Sequence, residues 1–135
     1  MARVLVVDDE QMIRWSIEET LRAAGYEVLA AGTVAEGLNL LQRMRPAVVF
    51  LDVRLPDASG LTLLQRARDP GVERSAVIVM TAYEESCTPA EALRLGAYGY
   101  LRKPFDFDQL EVIVHKALAD VEAAAGTSPD NKLSN

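Results

Sequence analysis

The sequence predicts an α/β protein: a doubly wound sheet of five parallel strands with helices packed on both faces. Two observations predict this class. Short apolar runs, rich in Val and bounded by polar residues, alternate with longer segments in which apolar residues recur every three or four positions. The first kind of segment is typical of strands buried on both faces, and the second of amphipathic helices. Strands and helices that alternate in this way form parallel sheets.

The elements follow one another in the order expected for such a sheet. The predicted strands cover residues 4–7, 27–30, 47–51, 76–80 and 98–101. Helical spacing marks the segments around them, at Ile13, Ile17 and Leu21; at Val34, Leu38 and Leu41; at Leu61, Leu64 and Ala67; and at Leu110, Val114, Ala117 and Val121. A further helix is expected between the last two strands. Trp15, on the first helix, is expected to flank the core.

Residues with special backbone preferences mark the helix ends. Gly25 follows the first helical segment as an expected C-cap. Arg45-Pro46 closes the second, because a residue before proline avoids the helical region. Residues 88–91, Thr-Pro-Ala-Glu, have the form of a capping box with Pro at the first helical position. Gly96 then ends that helix. The helix ends that these residues predict agree with the hydrophobic pattern.

Length and composition fit one domain. Half of the 135 residues are hydrophobic, a quarter are charged, and the net charge is −6. The basic residues are scattered rather than clustered, which argues against direct binding to nucleic acid. No apolar stretch approaches the ~20 residues of a membrane helix, so we expect a cytoplasmic protein. We expect residues 1–124 to form the domain and residues 125–135 a linker or disordered tail.

Charged and polar residues follow four of the predicted strands. Asp8 and Asp9 come after the first strand, Asp52 after the third, Thr81 after the fourth and Lys103 after the fifth. Ligands of open α/β sheets bind beyond the carboxyl ends of the strands, so these groups are expected to converge. Taken singly, most of these residues have an ordinary explanation as a cap or a solvated side chain. Asp52 is the exception, because it follows five apolar residues at the end of a buried strand. Together, four strand ends that each deliver such a group predict a site.

The chemistry of this cluster indicates phosphoryl transfer. Three neighbouring carboxylates repel one another and raise each other's pKa, and a hard cation such as Mg²⁺, which prefers oxygen ligands, relieves that repulsion. Mg²⁺ beside a carboxylate nucleophile suggests an aspartyl-phosphate. Lys103 and Thr81 would then contact phosphoryl oxygens, the first as a point charge and the second as a hydroxyl donor.

The chain resembles the response-regulator receiver domains of two-component signalling over residues 4–121. The matching stretches are residues 4–10, 51–60, 80–82 and 96–105. The resemblance implies the (βα)5 flavodoxin-like receiver fold and a signalling switch that promotes its own phosphorylation and dephosphorylation, rather than an enzyme with an external substrate.

The resemblance also implies a role for each site residue. Asp52 corresponds to the phosphoryl acceptor, Asp9 to a direct Mg²⁺ ligand and Asp8 to a ligand that acts through water. The backbone carbonyl of Arg54 is implied as a further metal ligand. In the phosphorylated state, a lysine pairs with the phosphate, and this position is Lys103.

Further positions concern switching and rate. Thr81 matches the switch hydroxyl, and Tyr100 matches the aromatic residue that swings inward when this hydroxyl moves towards the phosphate. The bond from Lys103 to Pro104 resembles one that is cis in the family. Arg54 and Tyr83 are expected to border the phosphoryl site, where they could slow hydrolysis; the alternative is that both side chains point to solvent.

A narrower resemblance concerns partners. Residues 12–16, 80–83 and 103–110 resemble the NtrC-type receivers, which control sigma-54-dependent transcription activators. It implies a sensor histidine kinase as phosphodonor, and DNA binding only through output domains that this chain lacks. It further implies a possible homodimer on phosphorylation, through a surface of the fourth helix and fifth strand that includes Ala92, Leu93, Leu95 and Tyr100.

Other classes fit less well. A dinucleotide-binding domain needs a glycine-rich turn after the first strand, where Asp8-Asp9-Glu10 would repel a pyrophosphate. A phosphatase with an Asp-x-Asp nucleophile pair after the first strand is not matched either. A receiver-like interaction module that works without phosphorylation remains the alternative, although it predicts the loss of at least one of the five cluster residues, and all five are present.

Overall fold

The computed structural model describes residues 2–68, 75–82 and 87–126, the last three as backbone only. Strands and helices alternate along the described chain, as predicted. Their bounds are β1 Arg3–Val7, α1 Gln11–Ala23, β2 Glu27–Ala31, α2 Val34–Met44, β3 Val48–Asp52, α3 Leu61–Arg66, β4 Ala76–Thr81, α4 Pro89–Arg94, β5 Gly99–Arg102 and α5 Phe107–Gly126.

The strands form a single parallel sheet in the order β2-β1-β3-β4-β5. The strand order reverses between β1 and β3, which lie side by side at its centre. Val7 pairs with Leu51 in register, so the residues that come next, Asp8 and Asp52, lie at the same point of the carboxyl edge. The topology therefore places the predicted site at the switch point, where ligands of such sheets bind.

The core consists of two layers, one on each face of the sheet. Leu5 and Val7 of β1 belong to the layer that α2, α3 and α4 cover, whereas Val4 and Val6 belong to the layer under α1 and α5. This alternation follows from the two-residue period of a strand. Every residue of β3 is buried, as expected for a strand covered on both faces. The predicted doubly wound architecture is confirmed.

The predicted helix ends are confirmed as well. Gly25 and Gly96 have φ values of 96° and 101°, a region that suits glycine. Arg45 ends α2 in the left-handed conformation, with φ 48°. At the start of α4, the Thr88 hydroxyl accepts from the Glu91 amide at 3.2 Å, and the Glu91 carboxylate accepts from the Thr88 amide at 3.4 Å. This is the predicted capping box.

Two expectations about packing were wrong. Trp15 is 56% exposed, because Ile13, Ile17 and Leu21 occupy the inner face of α1 and leave Trp15 on the outer face. Ala92, expected on the surface of the fourth helix, is fully buried in the core.

The last helix runs into the segment that was expected to be a linker or tail. The α5 helix continues through Gly126, two residues into the segment expected as a tail, and the rest of that segment lies outside the described residues. None of the helices in the described part of the chain is long and apolar enough to cross a bilayer.

Candidate functional site at the carboxyl edge

The turn after β1 places Asp8 inside the protein. Its amide donates to the carbonyl of Ala31 at 3.0 Å, and its Oδ1 accepts from the Glu10 amide at 2.9 Å. Arg14, from α1, donates to the Asp8 carbonyl at 2.7 Å. These contacts involve the backbone groups of the turn and Oδ1 of the buried Asp8 side chain. The other carboxylate oxygen, Oδ2, contacts Lys103, which follows β5.

Lys103 joins the buried carboxylates. Its Nζ donates to Asp8 Oδ2 at 2.6 Å and to Asp52 Oδ2 at 3.2 Å, and it lies 3.7 Å from Glu10 Oε1. The Lys103 side chain is only 9% exposed. Its position after β5 is fixed by its own amide, which donates to the Thr81 carbonyl at 2.9 Å, and the bond to Pro104 is cis, as predicted.

Burial and charge shift the pKa values of both partners. Burial raises the pKa of Asp52 and the charge of Asp8 raises it further, while the ammonium of Lys103 opposes both effects. Burial alone would lower the pKa of Lys103, but the hydrogen bond and charge of Asp8, followed by those of Asp52, outweigh burial and raise it. Lys103 is thus held as a cation, and ionised Asp52 lies in a site with more negative than positive charge.

An open acidic pocket lies beside this pair. Carboxylate oxygens of Asp8, Asp9 and Glu10 come within 4.8 Å of one another. The pocket has a volume of about 230 Å³, and its lining residues are Asp9, Glu10, Asp52, Arg54, Ala82 and Lys103. Several hard oxygen donors with excess negative charge and room for water fit Mg²⁺, which keeps part of its hydration shell.

Glu10 was not among the predicted site residues. It lines the pocket and lies close to Lys103. The signal was present in the sequence, because Glu10 continues the acidic run that begins at Asp8.

A short loop, residues 53–60, carries the chain from β3 to α3 around the Asp52 carboxylate. The Arg54 amide donates to Asp52 Oδ1 at 3.2 Å. At the base of the loop, the Gly60 amide donates to the Val53 carbonyl at 2.7 Å, and Arg54 forms an antiparallel bridge with Ser59. A Cβ atom at Gly60 would lie 2.0 Å from the backbone oxygen of Asp52. Only glycine fits this approach without a shift of the backbone.

The tip of the same loop is tied to α2. The two carboxylate oxygens of Asp57 accept from the amides of Val34 and Ala35 at 2.9 and 3.0 Å. These two hydrogen bonds, that of Val34 first, lower the pKa of Asp57. Sequence reasoning missed this residue, because nothing in the sequence indicates that residue 57 reaches the start of α2.

Thr81 and Tyr100 lie on the two strands next to the site. Thr81 is buried at the end of β4, and Tyr100 on β5 packs against the core. The Tyr100 hydroxyl donates to the Cys87 carbonyl at 2.7 Å, and burial raises the pKa of Tyr100. Leu93, on α4, is 58% exposed.

Of the two predicted rate-tuning residues, Arg54 lines the pocket and is exposed. Tyr83 lies outside the described residues.

Comparisons with known proteins identify a matching family and related regulators. Residues 4–115 match the response regulator receiver domain family. The regulatory protein AtoC of Escherichia coli is 40% identical over 116 residues, and the DNA-binding transcriptional regulator NtrC of the same species is 37% identical over 118 residues. Each alignment covers 86% of this chain but only 25% of AtoC and 24% of NtrC, so the chain spans about a quarter of each regulator.

Solved structures show the same fold. The crystal structure of a CheY-like response regulator receiver domain from Methanospirillum hungatei superposes with a TM-score of 0.83 and 30% identity, covering 92% of this chain and 98% of that one.

Proposed function

The chain belongs to the family of response regulator receiver domains, and from this premise we propose that it is a Mg²⁺-dependent switch that accepts a phosphoryl group on Asp52. The observation that carries the proposal is the position of Lys103, whose ammonium contacts both Asp8 and Asp52 at the edge of an acidic pocket. This arrangement offers a carboxylate nucleophile, a cation for a phosphoryl oxygen and carboxylates for a metal ion.

The reaction transfers a phosphoryl group from a donor to the Asp52 carboxylate. A carboxylate oxygen of Asp52 attacks the phosphorus of the donor, a new O–P bond forms, and the bond to the leaving group breaks with its electron pair. The hydrogen bond from the Arg54 amide to Asp52 Oδ1 orients the nucleophile. Lys103, already 3.2 Å from Asp52 Oδ2, needs only a small movement to pair with an oxygen of the transferred group.

Mg²⁺ would supply charge neutralisation between the attacking carboxylate and the phosphoryl oxygens. We propose that Asp9, Asp52 and the backbone carbonyl of Arg54 bind it directly and that Asp8 acts through water. The excess of carboxylates over the single ammonium supports a metal ion at this site, since a divalent cation relieves the repulsion that Lys103 leaves uncompensated.

Phosphorylation would be transmitted through β4 and β5. The Thr81 hydroxyl donates to the phosphoryl group, and Tyr100 moves into the space that it leaves. A rotation that takes the hydroxyl away from the Cys87 carbonyl would break their hydrogen bond, which contributes about 1 kcal/mol. Charge-assisted hydrogen bonds to a phosphoryl group are stronger than this, so the switch can be driven by phosphorylation.

The partners follow from the family. We propose that a sensor histidine kinase donates the phosphoryl group. The exposed surface of α4 and β5 then controls an output, in transcription as in the transcriptional regulator NtrC, and supports a homodimer on phosphorylation. DNA would be contacted only by output domains outside this chain. We further propose a cytoplasmic location, a domain that covers residues 1–124, and a linker in residues 125–135.

Intact mass spectrometry tests the proposal. The protein is incubated with acetyl phosphate, with Mg²⁺ or with EDTA, as wild type, as Asp52→Asn and as Asp108→Asn, which removes an exposed carboxylate at the start of α5. We expect wild type and Asp108→Asn to gain one phosphoryl group only with Mg²⁺, and Asp52→Asn to gain none.

The alternative, an interaction module that is never phosphorylated, predicts a different result. It requires that wild type gains no mass with acetyl phosphate or a sensor kinase, and that it does not bind beryllium fluoride, a mimic of the aspartyl-phosphate. That combination would overturn the proposed function.

A further inference from the structure

We propose that Asp57 is a positioning residue of the metal site: by tying the tip of the β3–α3 loop to the first turn of α2, it holds Arg54 at the pocket. The inference rests on the proposed function, because it assigns to Arg54 the metal-binding carbonyl. It adds a residue that lies outside the pocket and a second element, α2, whose position would affect Mg²⁺ affinity.

The contact between Asp57 and α2 has two points. The first amides of a helix have no partner within the helix, and its N-terminus favours an anion. Asp57 satisfies two of these amides, one with each carboxylate oxygen, and the Thr33 hydroxyl accepts from the third, that of Glu36, at 3.1 Å. Two parallel bonds fix the orientation of the carboxylate as well as its distance, so Asp57 restrains the loop tip more than a single bond would.

The loop is restrained at its base too. The bond from Gly60 to Val53 and the bridge between Arg54 and Ser59 close its two ends over Asp52. With base and tip both fixed, Arg54 retains little freedom to leave the pocket that it lines. A ligand that is already ordered costs less conformational entropy to bind. Removal of the tip contact therefore weakens metal binding without removing any group that touches the metal.

The competing explanation is that Asp57 only caps α2. Thr33 distinguishes the two explanations, because it is the N-cap of the same helix. Among the residues that the structure describes, its side chain has no hydrogen bond to the β3–α3 loop. If capping alone matters, Thr33→Ala and Asp57→Ala have the same effect on the metal site. Asp57→Ala also removes a negative charge, and Glu36→Gln, in the same helical turn, removes one without releasing the loop.

Isothermal titration of the full chain with Mg²⁺ measures the effect directly. We expect Asp57→Ala to raise the Kd for Mg²⁺ about tenfold, as substitutions behind metal ligands do. Asp57→Asn, which retains one acceptor oxygen, is expected between Asp57→Ala and wild type. Thr33→Ala and Glu36→Gln should stay within about twofold of wild type, the usual range of surface substitutions. Circular dichroism establishes that each variant is folded. We expect the Asp57 variants to fold because the Asp57 side chain is exposed.

Hydrogen exchange of the metal-free protein gives a readout that does not depend on phosphorylation. The amides of Arg54 and Gly60 should exchange faster in Asp57→Ala and at the wild-type rate in Thr33→Ala.

Two results would overturn the inference: an Mg²⁺ affinity of Asp57→Ala within about twofold of wild type, or an equal loss in Thr33→Ala. The failure of the proposed function looks different, since wild type would then gain no phosphoryl group, whereas the inference is decided by Mg²⁺ affinity and hydrogen exchange. If the inference holds, Asp57→Ala at saturating Mg²⁺ is phosphorylated as wild type is.

Discussion

Replacement of Gly60 by alanine tests how closely the β3–α3 loop approaches Asp52, the proposed nucleophile. The added Cβ would lie 2.0 Å from the Asp52 carbonyl oxygen and 3.2 Å from Leu51 Cδ1. The first neighbour is backbone and cannot rotate away. Relief to an ordinary contact of 3.4 Å requires the chain at Asp52 and Gly60 to separate by roughly 1.4 Å.

The size of this displacement sets the expected effect. The φ of Gly60 is −59°, which alanine adopts readily, so the clash alone opposes the substitution. We expect a loss of about 2 kcal/mol in the free energy of unfolding, as for other overpacked sites. A misplacement of ~1 Å near reacting atoms can slow the chemical step about 100-fold, so phosphorylation should be affected more than stability.

Gly25→Ala is the matched control. Gly25 has φ +96°, and a Cβ added there would have no atom within 4 Å, so alanine strains the backbone by about 1–2 kcal/mol without a clash. Gly25 precedes β2 and so lies at the amino edge of the sheet, opposite the carboxyl edge that carries Asp52. Urea denaturation compares the stabilities, and intact mass after timed incubation with acetyl phosphate and Mg²⁺ compares the rates. Equal phosphorylation rates for Gly60→Ala and Gly25→Ala would refute the reasoning.

Further predictions concern charge and capping. In EDTA, Lys103→Met leaves Asp8 and Asp52 buried without a counter-charge and should reduce the free energy of unfolding by about 3 kcal/mol. Addition of Mg²⁺ should restore part of this loss. An unchanged denaturation midpoint would contradict the prediction. The pKa of Asp52 is raised in the folded protein, so ionisation of its carboxyl lowers the free energy of unfolding. This loss of stability is absent below the unfolded pKa of about 3.9 and complete above the folded pKa. The stability of Asp52→Asn relative to wild type in EDTA should therefore increase with pH, and a pH-independent difference would be inconsistent with the shift. Thr88→Ala removes the cap of α4 and should cost about 1 kcal/mol in thermal unfolding; no change would show that the cap is dispensable.

The sequence predicted the fold and the convergence of the site for the same physical reason. Buried parallel strands carry a continuous apolar pattern, and their carboxyl ends meet at one edge of the sheet. Asp8, Asp52 and Lys103 could be placed together once the strands were recognised, because each of them follows a strand end. Their roles in phosphoryl transfer stay predictions until the mass measurement is made.

Other features could not be predicted because they depend on how separate segments pack. The bonds from Asp57 to α2 arise from a tertiary contact across more than twenty residues, and no local pattern encodes it. For Gly60, the sequence shows a glycine but not whether a positive φ or a close approach requires it. The prediction that Trp15 flanks the core was wrong because it followed the large apolar side chain. The helical period assigns residue 15 to the outer face of α1.

The contact between Lys103 and Asp8 joins residues 95 positions apart. Since synthesis proceeds from the N-terminus, both buried aspartates are made long before the ammonium that compensates them. A nascent chain that ends before β5 carries the acidic cluster without Lys103, its internal cation and the group proposed to pair with a phosphoryl oxygen. Under the proposed function, a chain can therefore accept a phosphoryl group on a complete site only after the last strand has joined the sheet.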